Sequence, residues 1–485
     1  MSSQAVGLGI LVATTVGLPT SICAQAEALR STQLYECRVA AGPGVEVDAL
    51  RVELQPAGDF DGDDHDDLLV MLWRRSPESS WLRDCWNAEV EVRSGLDGSS
   101  LWHWPGPSNK ACALAASRAG DIDRDGREDL ILTVVSTEHE TVTRVGIVAG
   151  GDGHVIRAFE ADFESWVAPF QNCLPHCFGS VLGPMGDVNS DGVPDYFVGG
   201  PDQTLLSRAQ GNAGHPTLLG RPYRNQPGDG VLDVYSGQSG ARLWRQSRIH
   251  FDHGFAASAA VVADVDGDDA PDLVVGAPPS LIALLTQDIS GVPGRSARAG
   301  CVYTLSGRDG DVLAYRDGRT KTEGLGRAII PVGDVDGDGG PDVVVGASRY
   351  GDSALTYQVV RLSDGEVLRT LDPRRLGPKG CWGTLRSAGD LDGDGRTELV
   401  EFADPLFSPS SPKCRPEVHV VDPRTGESRI GLSGDFGTRF GCAAGSAGDA
   451  DGDGRDELAV CEGLTANGDR AEVLIGVYKL SKPRR

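Results

Sequence analysis

The sequence is poor in the features that mark several large classes of protein. Its 485 residues include only 3 Met, 12 Phe and 9 Tyr, and 70 acidic residues outweigh 45 Lys and Arg to give a formal charge of −25. Nucleic acids and anionic membranes are bound through basic surfaces, so this charge argues against both as partners. Beyond the N-terminal segment no apolar run approaches the roughly 18 residues of a membrane span, and we expect no span in the mature protein.

Motifs that carry catalytic chemistry are also missing. The sequence contains no GxSxG, HExxH, P-loop or CxxC motif, and its 9 His residues are scattered without metal-ligand spacing. A scattered histidine is more often structural than catalytic. These absences favour a non-enzymatic role.

Glycine and proline, by contrast, are abundant, and the chain is repetitive. The 65 Gly and 28 Pro indicate many turns between short strands. A thirteen-residue pattern, typified by GDVDGDGGPDVVV, occurs seven times at a mean spacing of about 65 residues. The copies begin at Gly58, Gly120, Gly186, Ala263, Gly333, Gly389 and Gly448.

Each repeat predicts one four-stranded sheet. A small and apolar segment before the pattern predicts strand A, and the apolar run after it predicts strand B. A later hairpin such as VLDVYSGQSGARLWR, from Val231, predicts strands C and D. The B segments are apolar on successive residues, as expected for a strand buried on both faces. We therefore predict an all-β fold, a single seven-bladed β-propeller over residues 33–480 with four antiparallel strands per blade.

The seventh repeat lacks a D strand. Its C strand is predicted at residues 471–480, close to the end of the sequence. An unpaired sheet edge invites association with other chains, and residues 33–40, which precede the first A strand, have no other obvious partner. We predict that this N-terminal strand closes the ring as the outer strand of blade seven.

The repeated pattern reads DxDxDGxxD from its first aspartate and predicts one cation site per blade. Side chains at positions 1, 3, 5 and 9 and the carbonyl at position 7 can converge on one ion, and hard oxygen ligands suit Ca²⁺. The predicted side-chain ligands are Asp59, Asp61, Asp63 and Asp67; Asp121, Asp123, Asp125 and Asp129; Asp187, Asn189, Asp191 and Asp195; Asp264, Asp266, Asp268 and Asp272; Asp334, Asp336, Asp338 and Asp342; Asp390, Asp392, Asp394 and Glu398; and Asp449, Asp451, Asp453 and Glu457. The predicted carbonyl ligands are those of His65, Arg127, Val193, Ala270, Gly340, Arg396 and Arg455. Up to seven structural Ca²⁺ ions would change the formal charge from −25 to about −11.

The loops have two other interpretations. Asp-rich turns can be stabilised by side chain to backbone bonds alone, without metal, although so many carboxylates would then repel one another. An EF-hand is excluded because position 12 is apolar in six loops, Glu401 being the exception. Position 6 needs a tight, left-handed turn and is Gly in five loops, so we expect weaker sites where it is Asp64 or Asp269.

Several segments resemble a known repeat. Cys177-Phe178-Gly179, the loop from Asp187 and Val198-Gly199-Gly200-Pro201 together resemble an FG-GAP repeat of the integrin α-subunit type. Gly276-Ala277-Pro278 and Phe440-Gly441 are similar to its two halves. The resemblance covers essentially all of the mature chain. It implies calcium on the A to B loops of one face and ligand binding at the opposite face.

The connections of that opposite face run from B to C and from D to A. The longest are residues 202–230, 279–300 and 160–176, and the last carries Phe163, Trp166 and Phe170. Exposed aromatic residues on such loops suit protein or glycan contacts. The alternative is that these segments are lids over the central channel or tolerated insertions.

The N-terminus predicts export. Residues 5–22 form an almost uncharged apolar run, and Ala24-Gln25-Ala26 offers a cleavage site, so residues 1–26 are predicted to be a signal peptide, with a membrane anchor as the alternative. The mature protein would be secreted, periplasmic or on the cell surface. It would keep ten cysteines, and an even number in an exported chain suggests disulfides, with buried free thiols as the alternative. They are Cys37, Cys85, Cys112, Cys173, Cys177, Cys301, Cys381, Cys414, Cys442 and Cys461.

The functional hypothesis is a calcium-binding propeller that acts as a binding or adhesion module for protein or glycan ligands. Two alternatives stay open. The first is a propeller enzyme such as a polysaccharide lyase, a hydrolase or a quinoprotein, since Leu101-Trp102 and Leu243-Trp244 are similar to the strand ends of quinoprotein repeats. The second is a carbohydrate-binding lectin.

Overall fold

The computed structural model describes fifteen segments of the chain. They are residues 30–43, 50–75, 86–106, 111–136, 142–160, 178–201, 230–247, 254–279, 299–319, 323–348, 355–372, 383–403, 416–435, 439–467 and 470–481. These segments form β-strands, turns and loops, with no helix among them. Accordingly, the described residues include no helix long and apolar enough to cross a membrane.

The strands form seven antiparallel sheets of four strands each, the blades of a propeller. The first strand of the chain, β1, spans Arg30–Pro43 and belongs to blade seven. Blades one to three comprise β2 Leu50–Gly58, β3 Asp67–Arg75, β4 Trp86–Arg93 and β5 Ser100–Trp104; β6 Ala111–Gly120, β7 Asp129–Ser136, β8 Val142–Val148 and β9 Val155–Glu160; and β10 Val181–Gly186, β11 Asp195–Gly200, β12 Val231–Tyr235 and β13 Arg242–Ser247.

Blades four to seven continue the same order along the chain. They comprise β14 Ser258–Val262, β15 Asp272–Ala277, β16 Cys301–Leu305 and β17 Val312–Asp317; β18 Leu325–Gly333, β19 Asp342–Ser348, β20 Leu355–Arg361 and β21 Val367–Leu371; β22 Gly383–Gly389, β23 Glu398–Ala403, β24 Glu417–Val421 and β25 Ser428–Ser433; and β26 Ala444–Gly448, β27 Glu457–Asn467 and β28 Arg470–Ser481, with β1 as the fourth strand. The predicted all-β, seven-bladed propeller is confirmed.

The closing strand is also confirmed. β1 pairs antiparallel with β28, so that Cys37 lies opposite Ile475 and Val39 opposite Val473. The strand is longer than the predicted residues 33–40. The A strands of successive blades contact one another round the whole ring, from β2 and β6 to β26 and β2. The two ends of the described chain therefore complete a single closed ring.

The burial of each strand follows its place in the blade. In blade four the second strand, β15, is buried at all six residues because neighbouring blades cover both of its faces. The outermost strand, β17, exposes residues along most of its length. Among the described residues, seven apolar clusters fill the spaces between blades. The cluster that joins blades seven and one packs Leu68 and Val70 against Val39 and Ile475.

Side chains of the outer strands also connect neighbouring blades. Trp244 of β13 in blade three donates Nε1–H to the carbonyl of Gly307 in blade four at 2.8 Å. The nearby Gly310 has a φ of 78°, and a Cβ there would lie 2.6 Å from the Trp244 ring. Trp102 and Gly153 repeat this close approach between blades one and two. Glycine is therefore required at these turns both for backbone conformation and for space.

Four cysteines have described side chains, and none of the four forms a disulfide. They are Cys37, Cys301, Cys442 and Cys461. The Sγ atoms of Cys442 and Cys461 lie 3.2 Å apart. The predicted signal peptide at residues 1–26, the three aromatic residues of segment 160–176 and most of segments 202–230 and 279–300 lie outside the described residues.

Candidate metal centres

The seven aspartate loops lie on one face of the propeller. Each joins the A strand of a blade to its B strand, and we number them loop one to loop seven, at residues 59–67, 121–129, 187–195, 264–272, 334–342, 390–398 and 449–457. Neighbouring loops contact one another: the Glu128 amide donates to the Asp59 carbonyl at 2.8 Å, and the Asp66 amide donates to the Asp449 carbonyl at 3.0 Å. Because the strands are antiparallel, the B strands end and the C strands begin at the other face.

Loop two shows how the sequence folds locally. Asp121, at position 1, accepts the amides of Asp125 and Gly126 on its two carboxylate oxygens, each at 3.0 Å. Asp125, at position 5, accepts the Arg127 amide at 2.9 Å. Short acidic side chains that accept amides ahead of them in the chain favour a tight turn. The same pattern recurs in loop five, where Asp334 accepts the amides of Asp338 and Gly339.

The carboxylate at position 9 is the first residue of strand B and is buried. Asp129 is 0% exposed. Its Oδ2 accepts the Ile122 amide at 2.7 Å, and its Oδ1 accepts the amide of Gly150, in the C to D turn, at 2.9 Å. Turn glycines of blades one, three and four donate in the same way to position 9, namely Gly95 to Asp67, Gly237 to Asp195 and Gly307 to Asp272. The loop and the turn together fix this side chain.

Positions 1, 3 and 9 converge. In at least five loops they bring three carboxylate oxygens within 4.8 Å of one another: Asp59, Asp61 and Asp67; Asp121, Asp123 and Asp129; Asp264, Asp266 and Asp272; Asp334, Asp336 and Asp342; and Asp390, Asp392 and Glu398. In loop three Asn189, at position 3, donates Nδ2–H to Asp195 at 3.2 Å and so also lies beside position 9. Position 5 lies outside these triads and accepts the amide of position 7, as Asp63 does from His65.

Burial disfavours the ionised form of the position 9 carboxylates. It raises the pKa to about 7 for Asp67, to about 6 for Asp129, Asp195 and Asp342, and to about 8 for Glu398 and Glu457. The negative charges of neighbouring loop residues, such as Asp61 and Asp63 beside Asp67, raise the pKa further. A nearby cation would favour the ionised form.

Sequence comparison relates the chain to integrin α subunits. Integrin alpha-V of Gallus gallus is 25% identical over 250 residues, which cover 49% of this chain and 21% of that protein. Integrin alpha-IIb of Homo sapiens is 31% identical over 180 residues, which cover 35% of this chain and 16% of that protein. The family model described as FG-GAP repeat matches residues 255–287, which contain loop four. The chain is a β-propeller with an FG-GAP repeat.

The matched region of this FG-GAP propeller spans about a fifth of the length of these curated relatives, 21% and 16%. Among solved structures, the exotype rhamnogalacturonan lyase YesX has a TM-score of 0.47 and 14% identity, covering 90% of this chain and 75% of that chain. A likeness at this level does not bear on chemistry.

The triads of the FG-GAP propeller fit a divalent cation. Buried carboxylate oxygens need a donor or a cation, because leaving them bare is costly. Within the described residues, Asp61 Oδ1, Asp342 Oδ1, Asp451 Oδ1 and Glu457 Oε1 are buried and accept no hydrogen bond. Several anionic oxygens around one point form the ligand set of Ca²⁺, and no soft ligand is among them. These residues could therefore hold a hard divalent ion.

The turn geometry of the loops was predicted only in part. The predicted left-handed conformation at position 6 is present, with a φ of 89° at Gly126 and of 67° at both Asp64 and Asp269. Position 4 is left-handed as well, including Arg124 with a φ of 66° and Ser190 with a φ of 60°. Position 4 is Gly in the other five loops. The frequency of glycine at position 4 was the sequence signal from which this left-handed conformation could have been predicted.

Proposed function

We propose that this protein is an exported, calcium-binding FG-GAP propeller that acts as a binding or adhesion module for a protein or glycan ligand. The calcium part rests on one observation, the convergence of positions 1, 3 and 9 in loops that share one face. The role of calcium would be structural: it neutralises the loop carboxylates and stiffens the A to B connections. We propose positions 5 and 7 as the remaining ligands of each site.

The ligand part of the proposal concerns the opposite face. It is supported by the similarity to integrin α subunits and by the length of three connections there, 160–176, 202–230 and 279–300. Long loops on a rigid scaffold are the usual place for recognition. Trp166 and Phe170 in the first of them are the aromatic residues that we propose to contact the ligand.

An array of secreted proteins and glycans, probed in millimolar Ca²⁺, tests this proposal. We expect the wild-type protein to bind at least one arrayed molecule, and the Trp166→Ala, Phe170→Ala double variant to bind it at least about tenfold more weakly, because aromatic anchors dominate interface energy. Leu96→Ala, in the turn of blade one on the calcium face and 61% exposed, is the matched control. Equal binding by the double variant and the wild type would reject these residues as the contact.

Export is the second part of the proposal, with residues 1–26 as the cleaved signal peptide and residues 33–480 as the propeller domain. An oxidising compartment favours a disulfide where two thiols already touch, as those of Cys442 and Cys461 do at 3.2 Å. Each sulfur would lose one electron and one proton to an exchanging disulfide of an oxidoreductase, and the S–S bond would form.

We expect peptide mapping of the exported protein, without reductant, to recover Cys442 and Cys461 as one linked pair. Protein produced in a reducing cytosol should instead be alkylated at both residues. If both thiols of the exported protein are alkylated without prior reduction, this disulfide does not form.

A further inference from the structure

The seven loops differ in whether a Lys or Arg side chain of the protein forms an ion pair with their carboxylates. In the described part of the chain, no ion pair joins a Lys or Arg to the acidic residues of loops one, two and three. Loops five and seven each have one such partner, Arg361 of β20 and Lys479 of β28. Loop six has two, Arg429 of β25 and its own Arg396, which pairs with Asp394 at position 5. In loop four, Arg308 pairs with Asp268 at position 5, outside the triad.

In loop six the basic side chain contacts two buried carboxylates of the predicted metal site. Nη1 of Arg429 pairs with Asp392, at position 3, and lies 3.3 Å from Oε1 of Glu398, at position 9. Nη2 pairs with Asp422. The side chains of Asp392 and Glu398 are only 4% and 1% exposed. The guanidinium group therefore lies between the two carboxylates that a metal ion would bridge.

The C to D turn explains why loop six accepts a guanidinium group. In blades one to four a turn glycine donates its amide to position 9, as Gly307 does to Asp272. The corresponding residue of blade six is Pro423, which has no amide hydrogen. Arg429 supplies charged N–H donors near Glu398 instead. A planar guanidinium group with several donors suits two carboxylates at once.

In loops five and seven a basic side chain contacts the carboxylates at positions 3 and 5. Arg361 pairs with Asp336 and lies 3.3 Å from Asp338. Lys479 pairs with Asp451 and lies 2.7 Å from Asp453. Both cations contact positions 3 and 5, while the buried oxygen of position 9 in loop five, Asp342 Oδ1, has no hydrogen-bond donor in the described structure. Position 9 of loop five therefore keeps an oxygen that a metal ion could bind.

We infer that the loops bind calcium unequally: Arg429 takes the place of the metal in loop six, Arg361 and Lys479 weaken loops five and seven, and loops one to four bind calcium without a competing basic side chain at positions 1, 3 and 9. This inference rests on the proposed calcium binding. A tethered cation competes at high effective concentration and repels a second cation at close range. The protein thus saturates at six Ca²⁺ rather than seven.

Calcium stoichiometry of the full mature chain tests the inference. Native mass spectrometry and equilibrium dialysis with elemental analysis, in millimolar Ca²⁺, should count six ions in the wild type. Arg429→Gln should bind seven, with the added site at least roughly 100-fold tighter than in the wild type, as expected for removal of a close like charge. Asp123→Ala, which removes position 3 of loop two, should bind five.

Arg144→Gln is the charge-matched control. Arg144 lies on β8, near the end of the strand that is farther from the loops, and its side chain is 61% exposed. It pairs with Glu160 of the neighbouring strand β9. This variant loses the same charge as Arg429→Gln and should still bind six ions. A gain of one ion in both variants would mean that net charge, rather than the position of Arg429, limits binding, and would overturn the inference.

The remaining outcomes separate this inference from the proposed function. Calcium binding by neither the wild type nor Arg429→Gln would defeat the proposed function itself. Seven ions in the wild type, or six in a folded Arg429→Gln, would overturn the inference alone. If Arg429→Gln does not fold, the wild-type count still decides between six and seven.

Discussion

Chelation of calcium by EDTA is expected to lower the melting temperature of the mature protein by roughly 10 °C relative to millimolar Ca²⁺. A site filled to about 10 times its dissociation constant adds about 1.4 kcal/mol of folding free energy, and six such sites add about 8 kcal/mol. Extracellular calcium modules bind at about 10⁻⁴ to 10⁻³ M, so the titration should span that range.

The physical reason lies in the loops. Without a cation, each triad brings three carboxylates within 4.8 Å, and their repulsion opposes the native turn. Mg²⁺ provides an informative comparison, because it keeps its waters and demands a stricter octahedral geometry, so a smaller shift is expected.

Differential scanning fluorimetry in EDTA, Mg²⁺ and Ca²⁺ measures this effect. The variant Asp129→Asn, in loop two, should keep the fold in Ca²⁺ but show a smaller calcium-dependent shift than the wild type. Identical melting curves in EDTA and Ca²⁺ would show that the loops are metal-free aspartate turns.

Deletion of residues 33–40 is expected to cause the second large effect, a fall in the free energy of unfolding on the order of 5 kcal/mol or more. The deletion removes Cys37 and Val39, which are 5% and 1% exposed, from the cluster that joins blades seven and one. It also removes the Arg38 carbonyl, which accepts a bond from Arg93 of blade one at 2.8 Å. β28 would then present a bare edge, which favours aggregation.

A milder variant separates strand loss from general damage. Val39→Ala should cost about 2 kcal/mol because it leaves a cavity in a packed cluster, whereas Leu34→Ala, on the same strand and 37% exposed, should cost less than about 0.5 kcal/mol. Urea unfolding of all three variants measures these differences.

Restoring the strand in trans completes the test. A synthetic peptide of residues 30–43 should raise the melting temperature of the deletion variant, and the same peptide with Val39→Asp should not. A deletion variant as stable as the wild type would mean that β1 does not hold the ring closed.

Much of this architecture could be predicted because the repeats are local and visible in one dimension. Seven aspartate patterns, each between two apolar segments, determine the A and B strands of every blade. The missing D strand of the last repeat made residues 33–40 the natural partner of β28. The predicted span was shorter than β1 because its flanking residues carry no alternation of apolar and polar side chains.

The basic side chains that pair with the loop carboxylates could not be predicted in the same way. Arg429 lies 31 positions after Glu398 along the chain, on the outer strand of the same blade, and is one arginine among many. Only the fold brings its guanidinium group to loop six. The proximity of Cys442 to Cys461 is likewise a property of three-dimensional packing, since a sequence shows how many cysteines exist but not which of them meet.

The pairing of β1 with β28 also determines at what stage of synthesis the propeller can close. All other described sheet pairings join strands that follow one another along the chain, so they can form as each repeat emerges during synthesis. Blade seven must wait for its last strand to find the first one, the contact with the largest loop-closure entropy in the fold. Until then the apolar side of β1 is uncovered, and such an unpaired strand favours association with other chains.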